Sequence, residues 1–197
     1  MQAQLRAPLP PATMTLEVDF PGQAAPHTTL TISQDGNGRY SAPTDAGPAA
    51  TVFHLPPATV APWFNLARAM HYFQEKGFQS KRKVAFTGTK TLSYQGFEGA
   101  GTTTFTYTED TRLTDLLGQL QQLSQTLQLG LRLEADLRFN RMALDGDMTA
   151  LQSALKDKLA GYPEAIAPTL QKLADSPDAI DRVRRQAGAL LKQHGAP

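Results

Sequence analysis

The sequence predicts an α+β protein: an antiparallel meander sheet with one face covered by helices, followed by a helical C-terminal part built on a long helix. Three observations carry that expectation. From Thr13 to Thr108, apolar residues recur at every second position and their alternates are mainly threonine. From about residue 110 to 144, leucines recur at three- and four-residue steps, as they do on the apolar stripe of a helix. Beyond that, shorter helical periods are separated by Gly and Pro. The chain therefore divides into a disordered lead over 1–12, a β-rich part over 13–108 with one inserted helix at about 60–76, and a helical part over 109–197. The long helix, 110–144, joins the last two.

Composition narrows the function classes. With 197 residues, 41% hydrophobic and 19% charged, the chain can bury one ordinary core or two small ones. The formal net charge is +1, and basic and acidic residues balance in both halves, so nucleic acid is not an implied partner. No apolar run is long enough to span a membrane. Cysteine is absent, which excludes thiol catalysis, disulfides and Cys-ligated zinc. Met1-Gln2-Ala3-Gln4 ahead of Pro8, Pro10 and Pro11 reads as an initiator methionine before a mature exported chain, its signal peptide removed. The alternative is a cytoplasmic protein with a loose, Pro-rich start.

In order, Met14, Leu16, Val18 and Phe20 alternate with Thr15, Glu17 and Asp19 as a half-buried strand that Pro21-Gly22 ends. Leu30 and Ile32 mark the second strand, and Asp35-Gly36-Asn37-Gly38 turns it into a third beginning at Tyr40. A calcium loop is a poor reading of that turn, because Arg39 occupies a ligand position and no closing Glu follows. Pro43 to Gly47 is expected to be a loop, and Ala50–Leu55 a short strand. Pro62 suits the first turn of the inserted helix, with Trp63, Leu66, Ala67 and Met70 inward and Gly77 as its stop. His71 reads as a surface residue and Lys81-Arg82-Lys83 as a solvated basic loop. Val84 and Phe86, then Leu92 and Tyr94, then Phe105 and Tyr107, mark three further strands. A sheet with threonine on one face is wet on that side and needs a cover on the other.

The long helix supplies the cover through Leu113, Leu116, Leu120, Leu123 and Leu127, after a capped start at Asp110 or Thr111. Gly130 is expected to interrupt it. Beyond the glycine, Arg132/Asp136 and Glu134/Arg138 stand at i,i+4 spacing, and Glu134 falls where the heptad count would place a leucine. The two readings are a solvated face and an interior ion-pair network. Asp145-Gly146-Asp147 should end this helix and cap the next, with Met148, Leu151, Leu155 and Leu159 inward. Pro163 should open a third helix and Ser176-Pro177-Asp178 a fourth, the latter with Ile180, Val183, Ala187 and Leu190 inward. The last residues, 194–197, should fray.

Two resemblances add to this reading. Pro168-Thr169-Leu170-Gln171-Lys172-Leu173 with Asp175, Val183-Arg184 and Ala187 is similar to a single HEAT-type helix pair, over 163–193. That resemblance implies a helical hairpin in which Asp175 faces Arg184. Over 83–191, VAFTGTKTLSYQG, TFTYTEDTRLTDLL and LGLRLEADLRFNRMALD resemble an uncharacterised family of exported bacterial proteins. It implies export and a β-then-α layout, and carries no activity.

No chemistry-bearing motif stands out. His27, His54, His71 and His194 are scattered, and HExxH, GxSxG, P-loop and GxGxxG patterns are missing. The expectation is a non-catalytic exported protein, periplasmic or in the cell envelope, that binds another protein, with no cofactor or metal and an open oligomeric state. The alternatives are a carrier holding a lipid or other apolar ligand between sheet and helices, and an enzyme of unrecognised type. Trp63, Phe86, Tyr94, Phe105 and Tyr107 would line the carrier's pocket, although core packing explains the same residues.

Overall fold

Alternation along β1 (Thr13–Asp19) turns Met14 and Leu16 to one face of the sheet and Thr13, Thr15 and Glu17 to the other. The structure, a computed structural model, describes residues 9–22, 25–44 and 47–194. β2 (His27–Ser33), β3 (Asn37–Thr44), β4 (Gly47–His54), β5 (Thr89–Gly96) and β6 (Gly99–Phe105) complete a six-stranded antiparallel sheet in the order β4-β3-β2-β1-β5-β6. Register carries the alternation across the strands. Leu16 stands between Leu30 and Leu92, Leu30 faces Tyr40, and Met14 stands between Ile32 and Tyr94. On the wet face Thr15 and Thr31 bond through their hydroxyls at 3.1 Å, and Thr91 and Thr104 at 3.0 Å. Gly38 lies between Ile32 and Phe53 on the dry face, where a Cβ would stand 2.2 Å from the Phe53 ring.

The chain makes two meanders that share β1, and α1 (Pro57–Ala69) carries it from the β4 edge back to β5. Val60, Trp63, Phe64 and Ala67 form the buried side of α1, with the Phe64 ring 6.0 Å from that of Tyr94. The inserted helix is shorter than the expected 60–76. Pro57 rather than Pro62 occupies its first turn, and it ends at Ala69 because His71, Tyr72 and Phe73 take left-handed backbone angles (φ 48°, 57° and 68°). That turn presses Tyr72 over β6. A Cβ on Gly99 would lie 2.3 Å from the Tyr72 ring, and one on Gly101 would lie 2.2 Å from the Tyr72 carbonyl. Glycine is what lets the turn cover this sheet edge.

α2 (Thr111–Phe139), α3 (Leu144–Lys156), α4 (Ala167–Asp175) and α5 (Asp181–His194) make up the rest, with a short 3-10 turn at Pro163–Ile166. Asp110 caps α2 by accepting from the backbone N–H groups of Arg112 (2.9 Å) and Leu113 (3.3 Å). The Leu stripe, Leu113 to Leu127, is buried as the cover of the sheet requires.

Several expectations need correction. Residues 84–87 form no strand: Val84 and Phe86 are exposed, and Tyr107 lies beyond the end of β6. The backbone groups there are already taken. Lys90 Nζ donates to the carbonyls of Thr87, Gly88 and Thr106, and the Thr106 N–H donates to the Gln79 side chain at 2.7 Å. The lead is ordered at its end, where Ala12 is buried and accepts from the Gln34 N–H; residues 1–8 and 195–197 lie outside the described residues. The expected loop at 43–47 is largely strand, with residues 45 and 46 undescribed. α2 ends at Phe139, not 144, and Asp145-Gly146-Asp147 sits inside the first turn of α3. Leu159 and Ile180 point outward, and α5 begins at Asp181.

Gly130 does not interrupt α2. It lets the helix approach Ile166, whose Cγ2 would lie 2.5 Å from a Cβ at this position. Gly118, on the same helix, has open space in that direction. Alanine exceeds glycine in helix propensity by about 0.8–1.0 kcal/mol. Gly118→Ala should therefore raise stability by about that amount, whereas Gly130→Ala should lower it by about 1–3 kcal/mol through overpacking against Ile166. Urea unfolding of the two variants checks both signs.

Candidate functional site

The ion-pair residues singled out in the sequence gather where α2 meets α3 and α4. Glu134, with a side chain about one-quarter exposed, accepts from Lys172 Nζ (2.7 Å) on α4 as well as from Arg138 Nη2 (2.8 Å). Lys172, followed by Arg138, holds the Glu134 carboxyl below the usual glutamate range against the opposing effect of burial. Arg132 lies 3.9 Å from Asp136 but 2.7 Å from Asp147 of α3. Asp175 and Arg184 have other partners: Asp175 accepts from Gln171, and Arg184 pairs with Asp181.

Asp147 is the unusual member. Its side chain is 3% exposed, Oδ1 accepts from Arg132, and Oδ2 is buried with no donor among the described residues. Burial first, then the neighbouring Asp136 carboxyl, raise its carboxyl to about 6 against the pull of Arg132. Asp136 and Asp147 thus flank one arginine. Spacing could not show this, because Asp147 looked like a helix cap.

The proposed pocket aromatics do not line a common space. Trp63 is fully buried, donates from its indole N–H to Gln119 Oε1 (2.7 Å) and meets Tyr162 edge-on at 5.2 Å. Tyr94 and Phe105 are core residues, and the Tyr94 hydroxyl donates to Glu98 at 2.6 Å. Phe86 sits outside the layer, packed edge-on against Phe20, and Tyr107 is half-buried in a loop. The space between sheet and helices at these residues is filled by their own rings.

Three large apolar side chains are exposed at the turns of the helical part, among charged neighbours. Phe139 (82% exposed) and Met142 (95%) flank the α2–α3 turn, and Ile180 (55%) lies on the α4–α5 turn. Arg141 to Asp178 (2.8 Å) and Arg182 to Asp145 (3.2 Å) tie the two turns together, so these side chains share one corner of the helical part. Sequence reasoning missed this corner because Phe139 continued the apolar stripe and Ile180 fitted the inward face of the next helix.

The histidines do not converge. His27 pairs with Asp19, His54 with Asn37 and His71 with Glu75, the last in a chain that continues through Arg112 to Asp110. Among the described residues no group of three or more His, Cys, Asp or Glu side chains is placed to hold a metal ion. Among them also, no helix is long and apolar enough to cross a membrane. The chain matches no known family model, and no curated protein is similar enough in sequence to count as a relative.

Asp147 predicts a pH response with a definite sign. Its carboxyl is raised from an ordinary 3.8 to about 6 in the folded state, so between those values the native protein binds the extra proton. Stability should therefore rise as pH falls from about 6 toward about 4, and that gain is lost as pH rises back through about 6, by on the order of 1–3 kcal/mol. At lower pH the trend reverses, because Arg112 holds Glu75 and Asp110 below their ordinary 4.5 and 3.8. Asp147→Asn should raise the melting temperature at about pH 8 and flatten its rise between about pH 7 and pH 5. A thermal-melt series of both proteins across pH decides it.

Proposed function

We propose that this is a non-catalytic protein that binds another protein through the corner formed by Phe139, Met142 and Ile180, and that it works as an exported protein of the periplasm or cell envelope. The observation that carries the binding part is the exposure of three large apolar side chains at one corner, held by two ion pairs between the turns. Leaving such side chains in water gains nothing for the lone chain, whereas Phe and Met are enriched where partners dock. Leu144 and Met148 of α3 and Val183 of α5, on the helices next to these turns, are essentially fully buried. Export is supported by the resemblance over 83–191 and by the lack of cysteine.

The packed interior weighs against the carrier of an apolar ligand, and the scattered histidines weigh against hydrolytic or metal chemistry. Replacing Phe139 and Met142 together by Asp should shift folding stability by less than about 0.5 kcal/mol, since both are exposed. The same double variant should lose the partner. Photo-crosslinking from positions 139 and 142 in intact cells of the source, with a control position on the sheet at Thr102, should give one discrete adduct from the corner only. Equal adducts from all three positions, or none, would overturn the corner as a docking site. Fractionation of those cells separates the compartment question from the binding question.

A further inference from the structure

α2 has a second outward face. Gln121, Gln125 and Gln128 stand at i, i+4 and i+7, and so form one line of carboxamides along the helix. Together with Val18, Phe20 and Ala25 from the end of β1 and the turn after it, they line an open cleft of about 370 Å³. That volume lies near the lower end of the roughly 300–1,000 Å³ of small-molecule sites. Among the described residues the cleft is lined by no Asp, Glu, Lys, Arg or His. Among those residues the one ionisable group is Tyr40, whose hydroxyl bonds to Thr28 and which burial pushes up to about 12, so it stays neutral.

The three carboxamides have no side-chain hydrogen-bond partner among the described residues, in contrast to Gln119 and Gln122 on the same helix. Gln119 accepts from Trp63, and Gln122 donates to the Lys158 carbonyl at 3.0 Å. Opposite them Val18, Phe20 and Ala25 are apolar, beside Thr28 and Tyr40, and the Phe20 ring is braced edge-on by Phe86 at 5.9 Å. A carboxamide offers both a donor and an acceptor, the combination that a hydroxyl also presents. A ligand that fits must therefore be uncharged, must carry several hydroxyls along one edge, and must have an apolar face for Phe20.

We propose that this cleft is a binding site for a neutral saccharide, of one to two sugar rings, whose hydroxyl edge meets Gln121, Gln125 and Gln128 and whose C–H face packs on Phe20. A fatty acid would leave the amides unpaired and its carboxylate without a cation. An acidic sugar would meet the same lack of positive charge. The site lies away from the Phe139 corner and does not depend on it.

The test is NMR of the full chain labelled with nitrogen-15, watching the glutamine side-chain amide signals during titration with cellobiose, maltose and chitobiose. Digalacturonate, laurate and a neutral tripeptide are the comparison ligands. The expected result is saturable shifts confined to Gln121, Gln125, Gln128 and the Phe20 neighbourhood for at least one neutral disaccharide, with a dissociation constant of about 1 mM or tighter. Gln125→Ala should weaken that binding about fivefold, the equivalent of one hydrogen bond of about 1 kcal/mol, and should fold normally because alanine favours the helix. Phe20→Leu, which keeps the apolar contact but removes the ring, should weaken it as well. Absence of saturable shifts with all three disaccharides overturns the proposal. So does tighter binding of the acidic sugar, laurate or tripeptide, and so does saccharide binding that Gln125→Ala leaves unchanged.

Discussion

Everything in this molecule depends on α2 being covered from two sides. The dry face of the sheet presents Met14, Leu16, Leu30, Ile32, Tyr40, Leu92 and Tyr94, and burial of each large side chain is worth about 1.5–3 kcal/mol. Leu113, Leu116, Leu120, Leu123 and Leu127 supply much of that burial, beside Trp63 and Phe64 of α1. The same helix is also the wall on which the C-terminal helices are built. Thr126 is fully buried, donates to the Gly161 carbonyl and accepts from the Gly161 N–H, while Gly130 receives Ile166. α2 contributes to both layers, so the buried residues of the sheet and of the helical part run together in one core although the sequence divides them sharply.

How much of this was legible follows from how local each signal is. The strands β1, β2 and β5 are written in alternation, and the threonine face follows from the same count; β6 instead runs through Gly99, Ala100 and Gly101 and ends at Phe105, where the alternation has a strand still under way. The placement of β5 beside β1 is not written there, since register comes from which dry faces match across space. The false strand at Val84 and Phe86 shows the limit: alternation is present, but Lys90 and Gln79 take the backbone groups that a ladder would need. Lys90 did leave a trace. It stands at an inward position of β5, in step with Leu92 and Tyr94, and a buried ammonium there had to find carbonyls.

The charged site was half legible for the same reason. Glu134 broke the leucine count, and Arg138 four residues on was a readable partner. Lys172, which bonds Glu134 from α4, is 38 residues away and leaves no mark in local spacing. Asp147 gave the opposite impression to the true one. An acid after Asp145-Gly146 fits a helix start, and only packing of α3 onto Arg132 and Asp136 turns it into a buried group. The exposed corner was hidden because a periodic stripe does not tell where a helix outruns the layer it covers. Phe139 keeps the period of α2 after the sheet has ended.

The change of composition along α2 then has a physical meaning. Its first half is dressed with Gln119, Gln121, Gln122, Gln125 and Gln128, and its second half with Arg132, Glu134, Asp136 and Arg138. The first half is held against the sheet mainly by apolar contact and neutral hydrogen bonds, which salt hardly weakens. The second half is held to α3 and α4 by Arg132 to Asp147 and Glu134 to Lys172 as well as by Leu129 and Leu133. Charged groups fix relative angle more strictly than leucines do, because a misplaced buried carboxylate costs more than a misplaced methyl. The helix is therefore anchored by shape at one end and by charge at the other. The corner that carries Phe139 and Met142 sits at the charged end, where ion pairs join the two turns and burial pushes the Asp147 carboxyl up to about 6.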